Sequence, residues 1–422
     1  MSSDPASGPA HAPAAKKYLP GQERQGSALC LSGGGYRAAL FHLGSCRRLN
    51  EVGILSGLDA ISSVSGGSIF SAHLAYSLIE HGADAFDHFE ALVAAPFRRF
   101  VKNNIRTSPA LARLLPWEWI NAGAGAEALI DQYEKHLLGG KGLTISQLPD
   151  SPRFVFCATD IVFGVSWVFS KDRVGDFQAG YMRPGHGGEQ LIAKAVAASS
   201  CFPPIFKPLP LALQPDDLSG GDFMDGDERS RFIQSLALCD GGVYDNMGLE
   251  PVWKDFANVI VSDGGKPFSF AKEPDAAQQL LRMHDVVANQ AEALRKRWLI
   301  ASYLRGDYHG TYFGIKNAVS DYVVNAGVGY SKALATNTIS QIRTDMDEFS
   351  DDEIAVLENH GYTLADAAFR SHIAVSNDSV APLAPLANNW WPTPPGRLPQ
   401  LESRLSAALS GSSQIRLLGH HA

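Results

Sequence analysis

The chain has 422 residues, 45% hydrophobic and 19% charged, enough apolar material for one large folded unit or two or three ordinary ones. Its 36 lysines and arginines against 44 aspartates and glutamates leave a formal charge of −8, which argues against the positive surface that nucleic-acid binders turn toward phosphates. Five cysteines are too few for a disulfide scaffold, no apolar run approaches the roughly 18–20 residues of a membrane-spanning helix, and the opening residues lack the apolar middle of a secretory signal. The expectation is a reduced, cytoplasmic protein without a transmembrane segment. Cys30, Cys46, Cys157 and Cys239 lie in apolar segments and read as buried, whereas Cys201 sits in a Ser/Pro-rich loop and reads as more exposed.

In chain order, residues 1–26 are rich in Ala, Pro, Ser and Gly without periodicity and read as a disordered lead-in. Ala28–Leu31 is an apolar run broken by Gly33-Gly34-Gly35, after which Ala39, Leu43, Cys46 and Leu49 share one helical face. Ala60–Val64, Ser65-Gly66-Gly67 and the helical Ile69–Ile79 repeat the scheme. Two strand–glycine–helix units in fifty residues predict parallel strands with crossover helices. Residues 92–120 interleave Arg98, Arg99, Lys102, Arg106 and Arg113 with aromatic residues. Such a charge run is usually a solvated helical insertion; the alternative is peripheral contact of Phe97–Trp119 with an anionic membrane. Strands resume at Phe154–Cys157, Val165–Phe169, Leu236–Cys239 and Val259–Val261. Asp216–Glu228 is an acidic loop whose spacing fits no calcium-binding pattern, so neither metal nor other cofactor is expected. This predicts an α/β core over 27–270, a mostly helical C-terminal region over 271–372 and an extended Pro-rich tail over 373–422.

Three glycine-marked elements carry chemistry, each at the end of an apolar run. Ser65 sits where a tight strand-to-helix turn would project a nucleophile, and such an elbow needs small residues two positions either side: here Ser63 and Gly67. The plain alternative is an ordinary loop. Gly33-Gly34-Gly35-Tyr36-Arg37 opens a helix with bare backbone N–H groups, which suits an oxyanion or a phosphate. It also matches G-x-G-x-x-A, with Asp59 as a ribose-binding acid, but Asp59 begins the second strand where such an acid should end it. Asp240-Gly241-Gly242 offers a carboxylate at a strand end, or simply a turn, and Asp263-Gly264-Gly265 has the same form. His42 and His73 lie down helices leading away from the turns. His284 and His309 follow Asp240 in the order of a Ser-His-Asp hydrolase, so mechanisms with and without histidine both remain open on the residues alone.

Taken in order, GGGYR, SGGS and DGGVYDN resemble the motifs of the patatin-like phospholipase family. Ala158-Thr159-Asp160, Ala197-Ala198-Ser199-Ser200 with Phe202–Phe206, and Asn246 before Gly248 are similar too. The resemblance covers about Ala28 to Gly265; residues 343–362 are similar to an appendage of some bacterial members. It implies a mostly parallel sheet with helices on both faces, and a serine acyl hydrolase acting on fatty-acyl esters of lipids through a Ser-Asp dyad. Ser65 would be the nucleophile and Asp240 the base, preferred over Asp263 because GGVYDN follows it. Gly33, Gly34 and Gly35 would form the oxyanion hole, with Arg37 completing the motif. Ser63 departs from the family's usual glycine. Two further readings are a Ser-His-Asp esterase and a non-catalytic, membrane-associated regulatory protein on the same fold.

Overall fold

Ser27–Leu31 (β1) and Ala60–Val64 (β2) are the apolar runs before the two glycine turns, and both are buried strands. The turns feed helices Gly35–Glu51 (α1) and Gly66–His81 (α2). In this computed structural model the described residues are 24–106, 124–183, 185–203, 205–222, 226–268, 276–376, 380–386, 390–392, 398–409 and 411–412. The remaining strands are Arg153–Asp160 (β3), Val165–Ser170 (β4), Val174–Asp176 (β5), Gly180–Met182 (β6), Leu209–Pro210 (β7), Leu218–Ser219 (β8), Ala237–Asp240 (β9), Asn258–Asp263 (β10) and His309–Gly314 (β11). They form a single sheet in the order β11-β10-β1-β2-β3-β4-β5-β6-β8. From β11 to β3 every pairing is parallel, as expected from the strand–turn–helix repeat; β4 onward is antiparallel.

One edge of β3 is shared in a way that positions the site. Its first residues pair in parallel with β2, up to Val64 opposite Cys157. Beyond the end of β2 the same strand takes β9 as an antiparallel partner, with Ala158 opposite Asp240. The residue after Val64 and the last residue of β9 are thereby delivered to one spot.

Alternation along the strands divides the apolar residues between two faces. Leu29, Leu31 and Ile61 join the main core under α1, α2 and the helix Asp351–His372. Ala28, Cys30, Val259 and Val261 face a second cluster that includes Leu299, from the helix Ala276–Arg305. Three layers result. The helix 351–372 crosses α1 at a pair of glycines. A Cβ on Gly44 would lie 1.9 Å from the Glu358 carbonyl oxygen, and one on Gly361 2.0 Å from that of Phe41. Alanine is the better helix former in general, yet here only glycine lets the two backbones meet.

Several expectations are corrected. Cys201 is fully buried, its carbonyl accepting the Asp240 N–H at 3.2 Å. Phe97, Phe100 and Ile105 are core residues and Arg98 is bound to Glu358 and Glu90, so residues 97–106 pack against the core instead of forming the solvated insertion expected, with Arg99 and Lys102 exposed; 107–119 lie outside the described residues. The C-terminal region includes β11, whose Gly310, Thr311 and Tyr312 give no clear apolar alternation, and the Pro-rich tail contains the helix Leu398–Leu409. Among the described residues no helix is long and apolar enough to cross a membrane, and no cluster of His, Cys, Asp or Glu is arranged to hold a metal ion.

Candidate active site

Ser65 occupies the turn between β2 and α2 with φ 50° and ψ −116°, a conformation that non-glycine residues rarely adopt. The neighbours make the turn possible. A Cβ on Gly66 would fall 2.2 Å from the Gly35 carbonyl oxygen, and one on Gly67 2.2 Å from that of Leu31, so the two glycine turns touch backbone to backbone. Ser63 tolerates the elbow because its hydroxyl donates to the Val155 carbonyl at 3.2 Å and accepts from Ser68 at 3.1 Å. The Ser65 N–H donates to Ser199 Oγ at 2.9 Å, and Ser199 in turn donates to the Cys157 carbonyl at 2.6 Å. The strained residue is thus pinned from the helix Ile192–Ser200 (α3), which explains the Ala-Ser-Ser segment seen in the sequence.

Ser65 and the Asp240 carboxylate line the same cavity, and the serine hydroxyl is near enough to lower the Asp240 pKa. The Gly242 N–H donates to the same carboxylate at 2.8 Å, and Thr159 Oγ1 donates to the Asp240 carbonyl at 2.9 Å, fixing the strand end. Asp240 is buried, and burial pushes its pKa up to about 6 against the lowering effects of the Gly242 N–H and the Ser65 hydroxyl. A carboxylate with that value is ionised at neutral pH and a stronger base than an exposed one. α2 starts at the hydroxyl, so the positive end of its dipole faces the place where charge would build up.

The glycine turn contributes less uniformly than its sequence implies. The Gly33 N–H is spent on the Asn246 carbonyl at 3.0 Å. The amides of Gly34 and Gly35 donate to no group among the described residues, and both residues line the cavity that holds Ser65 and Asp240. Gly34 has φ 137°, accessible only to glycine, and this rotation opens α1 beside the cavity. Arg37 does not reach the cavity. Its buried guanidinium donates to the carbonyls of Gly264, Ser340 and Ile342, and desolvation lowers its pKa to about 9. It staples the C-terminal segment onto the turn instead of serving an oxyanion.

The cavity holds about 370 Å³ and is mixed in character. Phe202, Phe206 and Met346 form an apolar wall, whereas Arg106, Lys266 and Arg295 bring positive charge to the lining. No histidine lines it among the described residues. His42 is buried against Ser262 and the Ser32 carbonyl and His73 against the Val93 carbonyl, with burial lowering the pKa of each to about 4. His309 opens β11 opposite Asn258, at the far edge of the sheet; the His284 side chain lies outside the described residues. Asp59 accepts from the Ser27 N–H at 2.7 Å, at the start of β1 and β2 and so at the opposite strand end from the glycine turn. Sequence reasoning quoted Asn246 only as part of a motif. Its side chain fills the space beside Gly33, Gly242 and Gly265, where a Cβ would lie within 2.4–2.7 Å of it, so those glycines make room for it.

The sequence model of the patatin-like phospholipases matches residues 29–253. The chain belongs to the patatin-like phospholipase family. Within this patatin-like protein, β10, β11 and the helix 351–372 lie beyond the matched stretch. No curated protein matches it. Among solved structures it is similar to human GIVD cytosolic phospholipase A2, at 14% identity and TM-score 0.45, covering 82% of this chain and 58% of that one. The complex of that human protein with methyl gamma-linolenyl fluorophosphonate and terbium chloride gives 16% identity and TM-score 0.47, over 82% and 57%. VipD from Legionella pneumophila gives 14% identity and TM-score 0.35, over 82% and 67%. The chain thus spans 58% of the length of the human phospholipase.

Proposed function

We propose that this protein is a lipid acyl hydrolase that cleaves fatty-acyl esters with a Ser65–Asp240 dyad. The observation that carries the reading is that Ser65, in a strained strand-to-helix turn, and a buried, base-strengthened Asp240 carboxylate are brought together in one cavity. Asp240 takes the hydroxyl proton as Ser65 Oγ attacks the ester carbonyl carbon. The carbonyl oxygen becomes an oxyanion facing the amides of Gly34 and Gly35. The tetrahedral intermediate collapses, Asp240 returns the proton to the departing alcohol, and an acyl-serine remains. Water, deprotonated by the same aspartate, then attacks the acyl-serine; the acid is released and the Ser65 hydroxyl restored. The apolar wall of Phe202, Phe206 and Met346 suits an acyl chain. In this reading residues 27–270 carry the reacting groups, while 271–372 complete the cavity wall.

A fluorophosphonate probe reports on the nucleophile directly. Wild-type protein is expected to be labelled and Ser65→Ala not, with fatty-acid release from vesicle-borne phospholipid lost in parallel. Labelling that persists in Ser65→Ala overturns the assignment.

A further inference from the structure

The helix Ala276–Arg305 (α4) is two-sided in an unusual way. One face is turned inward: Ala288, Glu292 and Arg295 line the cavity, and Leu299 packs beneath the sheet. The opposite face is apolar and open. Met283 is 68% exposed, Val287 69%, Leu294 52% and Leu304 85%, with Val286 and Trp298 beside them. At 100° per residue these positions fall within one stripe along the helix, opposite the cavity-lining side. Exposed side chains of this size gathered on one element mark an interaction surface, whereas scattered ones do not.

Charge identifies the occupant. Of the helix's cations, Arg282 and Arg295 line the cavity and Lys296 is held by Asp263 and Glu292; Arg297 and Arg305, the latter paired with Asp307, lie on the exposed stripe, which carries no acidic residue. Arg297 lies on the stripe itself, is exposed, and makes no ion pair among the described residues. Apolar side chains edged by cations, with a tryptophan at the margin, match the boundary of an anionic bilayer. We propose that α4 is the membrane-docking element, its exposed stripe lying flat on an anionic lipid surface while its other face walls the cavity, which keeps the cavity close to the bilayer. This rests on the acyl-hydrolase reading and replaces residues 97–106 as the surface in question.

The test uses full-length protein with vesicles of phosphatidylcholine alone or with about one-third phosphatidylglycerol. Wild type is expected to sediment with the anionic vesicles. Val287→Glu/Leu294→Glu should weaken that binding by about tenfold or more, and Arg297→Glu should erase the preference for anionic over neutral vesicles. Both substitutions fall on exposed side chains, so hydrolysis of a water-soluble short-chain ester should stay at the wild-type rate. Equal vesicle binding by wild type and the double variant overturns the proposal, as does absence of wild-type binding. So does a wild-type dimer in sedimentation velocity that the double variant dissolves, since the stripe would then be covered by a second copy. A wild-type protein that binds vesicles but cleaves no ester sinks the hydrolase reading alone.

Discussion

Asp240-Gly241-Gly242 and Asp263-Gly264-Gly265 are the same tripeptide at the ends of two strands of one sheet. Each aspartate even accepts the N–H of the glycine two residues on, at 2.8 Å for Gly242 and 2.9 Å for Gly265. Their surroundings part them. Asp240 has a neutral hydroxyl for a partner, and burial lifts its pKa to about 6. Asp263 is equally enclosed, but Lys296 Nζ lies 2.9 Å from its carboxylate and the Tyr312 hydroxyl 2.5 Å. Burial alone would raise the Asp263 pKa as well; the ammonium and the two donors outweigh it and hold the carboxyl down at about 2. One carboxylate is left poised to take a proton and the other is locked as an anion. The motif supplies the carboxylate, and a cation contributed from α4 decides what it can do.

The contrast breaks most visibly in rate. Asp240→Asn should lower kcat on the order of 10⁴-fold. Asp263→Asn should leave kcat within about tenfold, because Asp263 is tied to Lys296 and Tyr312 and not to Ser65. Comparable collapse in both variants, measured on a soluble ester, would erase the distinction.

The pH profile sharpens it. The base must be ionised, so kcat/KM should fall about tenfold per pH unit below the Asp240 value near 6 and level off above it. Asp263→Asn should leave that inflection in place. A profile flat down to pH 4 would remove Asp240 as the base.

Stability should divide the pair in opposite directions. Asp263→Asn leaves the Lys296 ammonium without its carboxylate and should cost about 1–3 kcal/mol at pH 7, read from urea unfolding. Asp240 binds its proton more tightly when folded than its ordinary value of 3.8 implies, so its ionisation drains stability as pH rises from about 4 through about 6. Asp240→Asn should therefore raise Tm by roughly 2–4 °C at pH 8 and by less at pH 4. A variant less stable than wild type at pH 8 would contradict the burial-driven shift. This is the smallest effect, and it sets stability against activity at one position.

How far the sequence spoke follows the same line. The apolar runs and glycine turns fixed β1, β2, their helices and the parallel centre of the sheet, because those signals are local. Ser65 stood out through the small residues around it. The preference for Asp240 over Asp263 came only from the resemblance, since Lys296 lies 33 residues beyond Asp263 and nothing local ties the two. The fates of Gly33 and Arg37 were hidden for a similar reason: an amide's partner 213 residues away, or carbonyls more than 300 away, leave no trace in spacing. β11 escaped because it sits between helices with an irregular pattern, and residues 97–106 read as a solvated insertion because the carboxylates that Arg98 and Arg106 pair with, Glu358 and Asp345, lie more than 200 residues away.

The clamp on the glycine turn has a further consequence. The Tyr36 N–H donates to the Asp345 carbonyl at 2.9 Å, Arg37 holds the carbonyls of Ser340 and Ile342, and a Cβ on Gly35 would strike the Thr344 carbonyl at 2.7 Å. Residues made early in synthesis are therefore set in place by residues made some three hundred positions later. A chain only partly emerged from the ribosome carries both residues of the proposed dyad but lacks the brace around the Gly34–Gly35 turn. Timing of synthesis thus separates the making of the site's parts from their final arrangement, and a fragment cut at the family boundary would be a poor stand-in for the whole chain.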